Sequence, residues 1–308
     1  MPPQLPPDHS QRMQRARLAL HGTAVGDAFG ETFFGPPERV SARVSGRSLL
    51  PALWRYTDDT VMATVVTEVL ERHGSINQDA LAHGFVDAYA REPDRGYGGG
   101  AHQILGEIAR GRSWHEAARA LFGGTGSMGN GGAMRAAPIG AYFADDVAAA
   151  AEHARNSAEV THAHPEGQAG AMAVALASAW AWTHREREAP GLGAELLEWL
   201  VNALPPSDTR AGIQKAAELG LGAPVEKAVS VLGNGSKVLA QDTVPLALWS
   251  VARHLDDFAE ALWTLVSALG DRDTTCAIAG GILAVRTGSA GIPSAWDKAR
   301  ERLRARAL

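Results

Sequence analysis

The chain has 308 residues, 45% hydrophobic and 20% charged, and its 29 basic and 34 acidic side chains give a net charge of −5. A chain with so many apolar residues can bury enough surface to offset the entropy lost on ordering, which excludes disorder over most of its length. Its net negative charge disfavours nucleic acid as a partner without excluding a local basic patch. The single cysteine, Cys276, cannot form an internal disulfide, which indicates a reducing compartment.

The N-terminal segment predicts a tail rather than a targeting signal. Residues 1–7 contain four prolines and no apolar core of a secretory signal. We therefore expect residues 1–10 to form a flexible, proline-rich tail in front of one domain over residues 11–308. The longest mostly apolar stretch, 169–182, is too short to cross a bilayer about 30 Å thick. These features predict a cytoplasmic, monomeric protein that does not associate with membranes.

Apolar residues recur at helical spacing through most of the chain. Short clusters of glycine, proline, asparagine or aspartate separate many of these stretches, as expected at helix ends. Residues 39–44 are the one stretch expected to pair briefly as a strand. The pattern predicts an all-α fold in a single domain, with helices over residues 61–70, 81–89, 104–108, 172–180, 196–204, 244–252 and 258–269.

Three glycines are spaced by four in the first predicted helix. Gly22, Gly26 and Gly30 each weaken a helix by about 1 kcal/mol relative to alanine. Their common face predicts the close approach of another backbone or of a ligand.

Two acidic motifs stand directly before predicted helices. Thr57, Asp58 and Asp59 precede the helix at 61–70, and Asp271 and Asp273 precede the apolar stretch near the end of the chain. One interpretation is that these residues only cap helices. The other is that the four aspartates balance two divalent cations. Carboxylate and hydroxyl oxygens are hard ligands that suit Mg2+, Mn2+ or Ca2+ rather than zinc.

A glycine-rich segment at residues 123–132 is the third distinctive motif. It lacks the lysine of a Walker loop and the preceding strand of a dinucleotide-binding fold. It is therefore either a flexible loop or a cradle of backbone N–H groups for phosphate oxygens. His162 and His164 follow it, and their spacing leaves catalytic, ligand-binding and structural roles open.

Taken together, these motifs resemble the ADP-ribosylglycohydrolase family over nearly the whole chain and in the same order. The resemblance rests on residues 22–30 (GTAVGDAFG), 56–60 (YTDDT), 95–98 (RGYG), 126–135 (GSMGNGGAMR), 161–162 (TH), 241–245 (QDTVP) and 270–274 (GDRDT).

The resemblance implies an all-α fold whose central cleft holds two divalent cations, Mg2+ or Mn2+. The metal ligands it implies are Thr57, Asp58, Asp59, Asp271, Asp273 and Thr274. The residues it implies along the path of the diphosphate and ribose are Tyr97, Ser127, Met128, Gly129, Asn130 and His162. Gly233 and Gly235 would approach the adenosine end.

The chain departs from the family pattern at two positions. Phe34 stands where many members carry a glutamate, and Arg272 stands between the paired aspartates, where threonine is common. Glu31 is the candidate to replace the missing glutamate as general base, with Asp27 as a further candidate.

The resemblance implies hydrolysis of the glycosidic bond at C1 of the distal ribose of an ADP-ribosyl adduct, with Asp58, Asp59 and Glu31 as the catalytic candidates. A protein side chain is the expected acceptor, while an ADP-ribosylated nucleic acid or small molecule is the alternative. The departure at Phe34 favours a second hypothesis, in which the protein binds ADP-ribose without turnover.

Overall fold

The computed structural model describes residues 5–303, so residues 1–4 of the predicted tail lie outside the described residues. The described part of the chain contains α-helices, two short 3-10 helices and no strand, which confirms the all-α prediction. The α-helices are α1 (His9–Glu31), α2 (Pro37–Ser45), α3 (Asp58–His73), α4 (Gln78–Arg91), α5 (Gly99–Ala109), α6 (Trp114–Gly124), α7 (Ala137–Tyr142), α8 (Val147–Glu159), α9 (Pro165–Thr183), α10 (Leu192–Ala203), α11 (Asp208–Leu219), α12 (Val225–Leu232), α13 (Ala240–Arg253), α14 (Phe258–Ser267), α15 (Arg272–Thr287) and α16 (Ser294–Ala299).

Helices α1 and α15 form the most extensive helix pair in residues 5–303. A Cβ atom at Gly22 would lie 2.1 Å from the carbonyl oxygen of Gly280, and one at Gly26 would lie 2.0 Å from that of Cys276. At Gly30 the same distance, to the carbonyl oxygen of Arg272, is 2.2 Å. The expected close approach is therefore a helix–helix contact, and the three glycines bring the two backbones together along its whole length.

The remaining helices surround this pair. Helices α9 and α13 pack on α15, while α3 and α7 pack on α1. Trp180, Trp249 and Trp263 are buried in the core, and Trp182 is partly buried. The α1–α15 pair is thus packed between other helices, and the first turn of α15 lies beside Gly30 near the end of α1.

One local expectation was wrong. Residues 39–44 belong to helix α2 and not to a strand. Pro37 stands at the start of α2, where its missing N–H costs nothing, and Val40 is the buried residue of the helix. The described residues offer no neighbouring strand for this segment, so its β-branched residues are accommodated on a short surface helix.

Within residues 5–303, no helix combines the length and the apolar character that crossing a membrane requires.

Candidate active site

Asp27 ties helix α1 to the start of α3. Its carboxylate accepts hydrogen bonds from the backbone N–H of Thr57 at 2.9 and 3.1 Å and from that of Thr60 at 3.1 Å. The hydroxyl groups of Thr57 and Thr60 donate to it as well, at 2.9 and 2.5 Å. Asp27 is fully buried, and these bonds fill its acceptor positions. Its role in this structure is to position the 57–60 turn.

The acids of the two motifs do not serve as helix caps. Thr57 caps α3, since its Oγ1 accepts a bond from the backbone N–H of Asp59. Asp271 stands at the N-cap position of α15 but makes no capping bond with its side chain. The capping interpretation therefore does not explain why Asp58, Asp59 and Asp271 are present.

The two motifs meet across the α1–α15 pair. The hydroxyl of Thr274 on α15 donates to Oδ2 of Asp59 at 3.4 Å, and Oγ1 of Thr57 lies 3.0 Å from the same oxygen. Asp271 accepts a bond from the side-chain amide of Asn130 at 2.7 Å. Residues far apart in the sequence thus form one cluster of carboxylates, which includes the glycine-rich loop through Asn130.

Burial and mutual repulsion raise the pKa values of the clustered acids. Burial, then Asp273 and Asp27, raise the pKa of Asp59 well above its usual value. Burial, then Asp271, do the same for the pKa of Asp273. Burial and the charge of Asp27 raise the pKa of Asp58 to about 7. If all of these acids were ionised, the cluster would hold more negative charge than the neighbouring groups balance.

The donor set fits hard divalent cations. Oδ1 of Asp59 and Oδ1 of Asp273 are buried and have no hydrogen-bond partner within residues 5–303. Among the described residues, no three His, Cys, Asp or Glu side chains are grouped closely enough to hold a metal ion in this conformation. Partnerless carboxylate oxygens among repelling acids are what cations would stabilise.

The glycine-rich loop lies beside this cluster and against His162. Gly129 pairs with Leu239 in an isolated antiparallel bridge, and the hydroxyl of Ser127 accepts from the backbone N–H of Gly129 at 3.1 Å. A Cβ atom at Gly129 would lie 3.1 Å from Nε2 of His162, and one at Gly131 would lie 3.2 Å from it. The loop therefore packs directly against the imidazole, since a side chain at either glycine would crowd the ring.

The second histidine of this segment has a structural role. His164 caps helix α9, since its Nδ1 accepts a bond from the backbone N–H of Glu166 at 3.1 Å. Of the two histidines, His162 is therefore the one that faces the glycine-rich loop.

His162 is expected to make stability depend on pH. Burial, and then the charge of Arg135, lower the pKa of His162 from 6.5 to about 3. Below pH 6.5 the unfolded chain binds a proton that the folded protein does not, so stability falls as the pH falls toward 3, by up to about 1.4 kcal/mol per pH unit.

We expect His162→Gln to lose less stability than the wild type between pH 6.5 and pH 5, measured by urea unfolding. The exposed residue His83 supplies the control, and His83→Gln should follow the wild-type curve. Parallel curves for His162→Gln and the wild type would contradict the predicted pKa.

The remaining predicted substrate-binding residues lie around the same cluster. A Cβ at Gly235 would lie 2.6 Å from that of Asp271, and one at Gly233 would lie 2.2 Å from Oδ1 of Asp242. Protein atoms thus explain both glycines, and their approach to adenosine stays a prediction. Tyr97 is buried, and the carbonyl oxygen of Met128 accepts a bond from the backbone N–H of Ala240 at 2.9 Å.

The two departures from the family pattern touch each other. The guanidinium of Arg272 lies 4.6 Å from the ring centroid of Phe34 and donates to the carbonyl oxygens of Phe33 and Gly270 at 2.5 and 3.0 Å. Glu31, the last residue of α1, is accessible to solvent at this edge of the cluster. Partial burial, then Asp27, raise its pKa, and Arg55 opposes them.

Arg95 had no role predicted from the sequence. It forms ion pairs with Glu301 at 2.8 Å and Glu92 at 2.9 Å, and its carbonyl oxygen accepts the backbone N–H of Asp58 at 2.8 Å. Arg95 thus anchors the loop that holds Asp58. The motif at 95–98 contained this residue, but its partners come from the end of α4 and the C-terminal segment.

Phe122 was also missed. Its side chain is 65% exposed, and its backbone is left-handed, with φ 50° inside the kink of α6. A bulky residue rarely adopts this conformation. The ring projects toward α5, where it lies 3.7 Å from the position of a Cβ built at Gly100, an ordinary contact distance. An exposed ring directly before the glycine-rich loop offers a face on which a base can stack.

The chain is similar over most of its length to proteins of one family. A family model described as ADP-ribosylglycohydrolase matches residues 8–308. The chain is 32% identical to the ADP-ribosylhydrolase ARH3 of Bos taurus, over 80% of this chain and 74% of that protein. It is 26% identical to the ADP-ribosylarginine hydrolase Tri1 of Pseudomonas putida, over 93% and 74% respectively. A solved structure of an ADP-ribosylglycohydrolase-related protein complex has a TM-score of 0.65, 26% identity and 94% coverage of both chains.

Proposed function

Because the chain belongs to the ADP-ribosylglycohydrolase family, we propose that it releases ADP-ribose by hydrolysing the glycosidic bond between C1 of the distal ribose and an acceptor. Its relatives are named as ADP-ribosylhydrolase and ADP-ribosylarginine hydrolase, which supports hydrolysis of an ADP-ribosyl bond as the general activity of this chain. A protein side chain is the proposed acceptor. The observation that carries the proposal is the cluster of buried aspartates beside a glycine-rich loop.

The proposed cofactors are two divalent cations, Mg2+ or Mn2+. When bound, they supply positive charge that orients the ribose diol and polarises water. The partnerless oxygens of Asp59 and Asp273 support this part of the proposal. The residues proposed to hold the ions are Thr57, Asp58, Asp59, Asp271, Asp273 and Thr274.

The glycine-rich loop is proposed to bind the diphosphate. Ser127, Gly129 and Asn130 lie on the loop, and the Asn130 amide is bonded to Asp271, so an anchored diphosphate would bring its ribose toward the carboxylates. Binding energy at this remote group then orients the reacting bond. Phe122 would provide a stacking face for the adenine beside the same loop.

Glu31 is the proposed general base. Its carboxylate takes the proton of the attacking water while the water oxygen bonds to C1, and the acceptor leaves with the bonding electron pair and takes up a proton from solvent. The raised pKa of Glu31 supports a group that exchanges protons more readily near neutral pH than an ordinary glutamate.

Release of free ADP-ribose is the test of this function. We expect release from at least one of an arginine-, serine- or nucleic-acid-linked substrate with Mg2+ or Mn2+, and none with chelator or in Asp58→Ala. Asp87→Ala, at an exposed position of α4, should keep wild-type activity. Release that continues in the chelator would contradict the metal requirement.

A second candidate function is binding of ADP-ribose without turnover. The contact of Phe34 with Arg272 favours it, because an aromatic ring covered by a guanidinium stands where many relatives carry a glutamate. Tight ADP-ribose binding with no release from any linkage would support this candidate. If the protein neither released nor bound ADP-ribose, both functions would be ruled out.

A further inference from the structure

Arg135 is a fully buried arginine behind the glycine-rich loop. Its Nη1 donates to the carbonyl oxygen of Gly131 at 2.8 Å, and its Nη2 donates to the carbonyl of Ser157 and to Oγ1 of Thr161, each at 2.8 Å. The ring of Phe85 lies 4.6 Å from the guanidinium. All three partners are neutral oxygens. A buried guanidinium without a bonded carboxylate is costly, which indicates that its position serves a purpose.

The bond from Arg135 determines where the Thr161 hydroxyl proton points. A guanidinium can only donate, so Oγ1 of Thr161 is the acceptor in their contact. The other contact of Oγ1 is with Nδ1 of His162 at 2.7 Å, and Thr161 is buried. If His162 donated from Nδ1, the buried threonine hydroxyl would have no acceptor in the described residues, which is unfavourable. The hydroxyl therefore donates to Nδ1.

We infer that Arg135, acting through Thr161, fixes His162 as the tautomer protonated at Nε2, so that this N–H is a neutral donor facing the glycine-rich loop. An acceptor at Nδ1 leaves the ring proton on Nε2. Nε2 lies beside Gly129 and Gly131 and has no hydrogen-bond partner in residues 5–303. The low pKa of His162 keeps this donor uncharged at neutral pH.

The inference rests on the proposed function for its ligand, a diphosphate oxygen of ADP-ribose held at the loop. Arg135 and Thr161 are then positioning residues, since both are buried and act on the ligand through His162. Arg135 also holds the carbonyl of Gly131, so one side chain sets both the loop and the imidazole that faces it. The chain thereby keeps a donor of fixed direction opposite the loop without adding a charge.

The test measures the His162 tautomer by NMR of nitrogen-labelled histidine in the full chain, with the resonance assigned by its loss in His162→Gln. We expect the Nε2–H form in the wild type, a shift away from it in Thr161→Val, and its return in Thr161→Ser, which keeps the hydroxyl. Calorimetry with ADP-ribose should give about tenfold weaker binding for Thr161→Val, the loss of one hydrogen bond, and near wild-type binding for Thr161→Ser.

An Nδ1–H tautomer in the wild type overturns the inference, even if Thr161→Val fails to fold. Unchanged ADP-ribose affinity in a folded Thr161→Val overturns it as well. Failure of the proposed function is a separate result, since the wild type would then release no ADP-ribose from any substrate, whatever the tautomer.

Discussion

Gly26→Val is expected to leave most of the protein unfolded. A Cβ at Gly26 would lie 2.0 Å from the carbonyl oxygen of Cys276 and 2.7 Å from its carbonyl carbon, so the clash is with backbone and cannot be relieved by a side-chain rotation. Helices α1 and α15 would have to separate, at a cost above about 4 kcal/mol, comparable with the whole stability of many domains. Urea unfolding followed by circular dichroism measures this loss.

Gly222 provides the matched control. It has no heavy atom within 4 Å of a built Cβ and no left-handed backbone, so Gly222→Ala should change stability by less than about 0.5 kcal/mol. A wild-type urea midpoint for Gly26→Val would contradict the close packing of α1 on α15.

The glycines also mark how much of the fold could be predicted from the sequence. The spacing of Gly22, Gly26 and Gly30 predicted a close approach, because a helix that lacks a Cβ at every fourth residue presents bare backbone along one face. It did not reveal the partner helix, since α15 lies near the other end of the chain and its own small residues gave no separate signal. The glycine spacing therefore predicted the contact face of α1, and the structure was needed to identify α15 as the helix that packs on it.

The candidate site was predictable to a similar extent. The paired aspartates were visible as motifs, and their contact through Thr274 and Asp59 follows from the packing of α1 on α15. The network from Arg135 to His162 was not visible, because each of its bonds joins residues that are unremarkable in isolation. The strand expected at 39–44 failed because β-branched residues also fit a surface helix that begins at a proline.

The acids that serve the proposed reaction also destabilise the folded protein. Asp59 is buried among like charges, with one oxygen that no group in residues 5–303 satisfies. A fold selected for stability alone would place a neutral side chain there. Function and stability are therefore expected to respond in opposite directions when this residue is changed.

Asp59→Asn should abolish hydrolysis and raise the melting temperature in chelator. Changing a residue that merely supports a metal ligand costs about 10–100-fold in activity, so losing a ligand should cost more than about 100-fold. The asparagine oxygen still accepts from the Thr274 hydroxyl, while the repulsion with Asp273 and Asp27 is removed, which stabilises the metal-free fold. Scanning calorimetry with chelator and with Mg2+ measures both states.

In the wild type, Mg2+ should raise the melting temperature because it binds only the folded protein, and in Asp59→Asn this increase should be much smaller. Asp87→Asn, at an exposed position of α4, should change neither the activity nor either melting temperature. A lower melting temperature of Asp59→Asn in chelator would mean that the hydrogen bonds of the carboxylate outweigh its repulsion. Wild-type turnover in Asp59→Asn would remove this residue from the proposed metal site. The two measurements together therefore separate an acid retained for catalysis from one retained for structure.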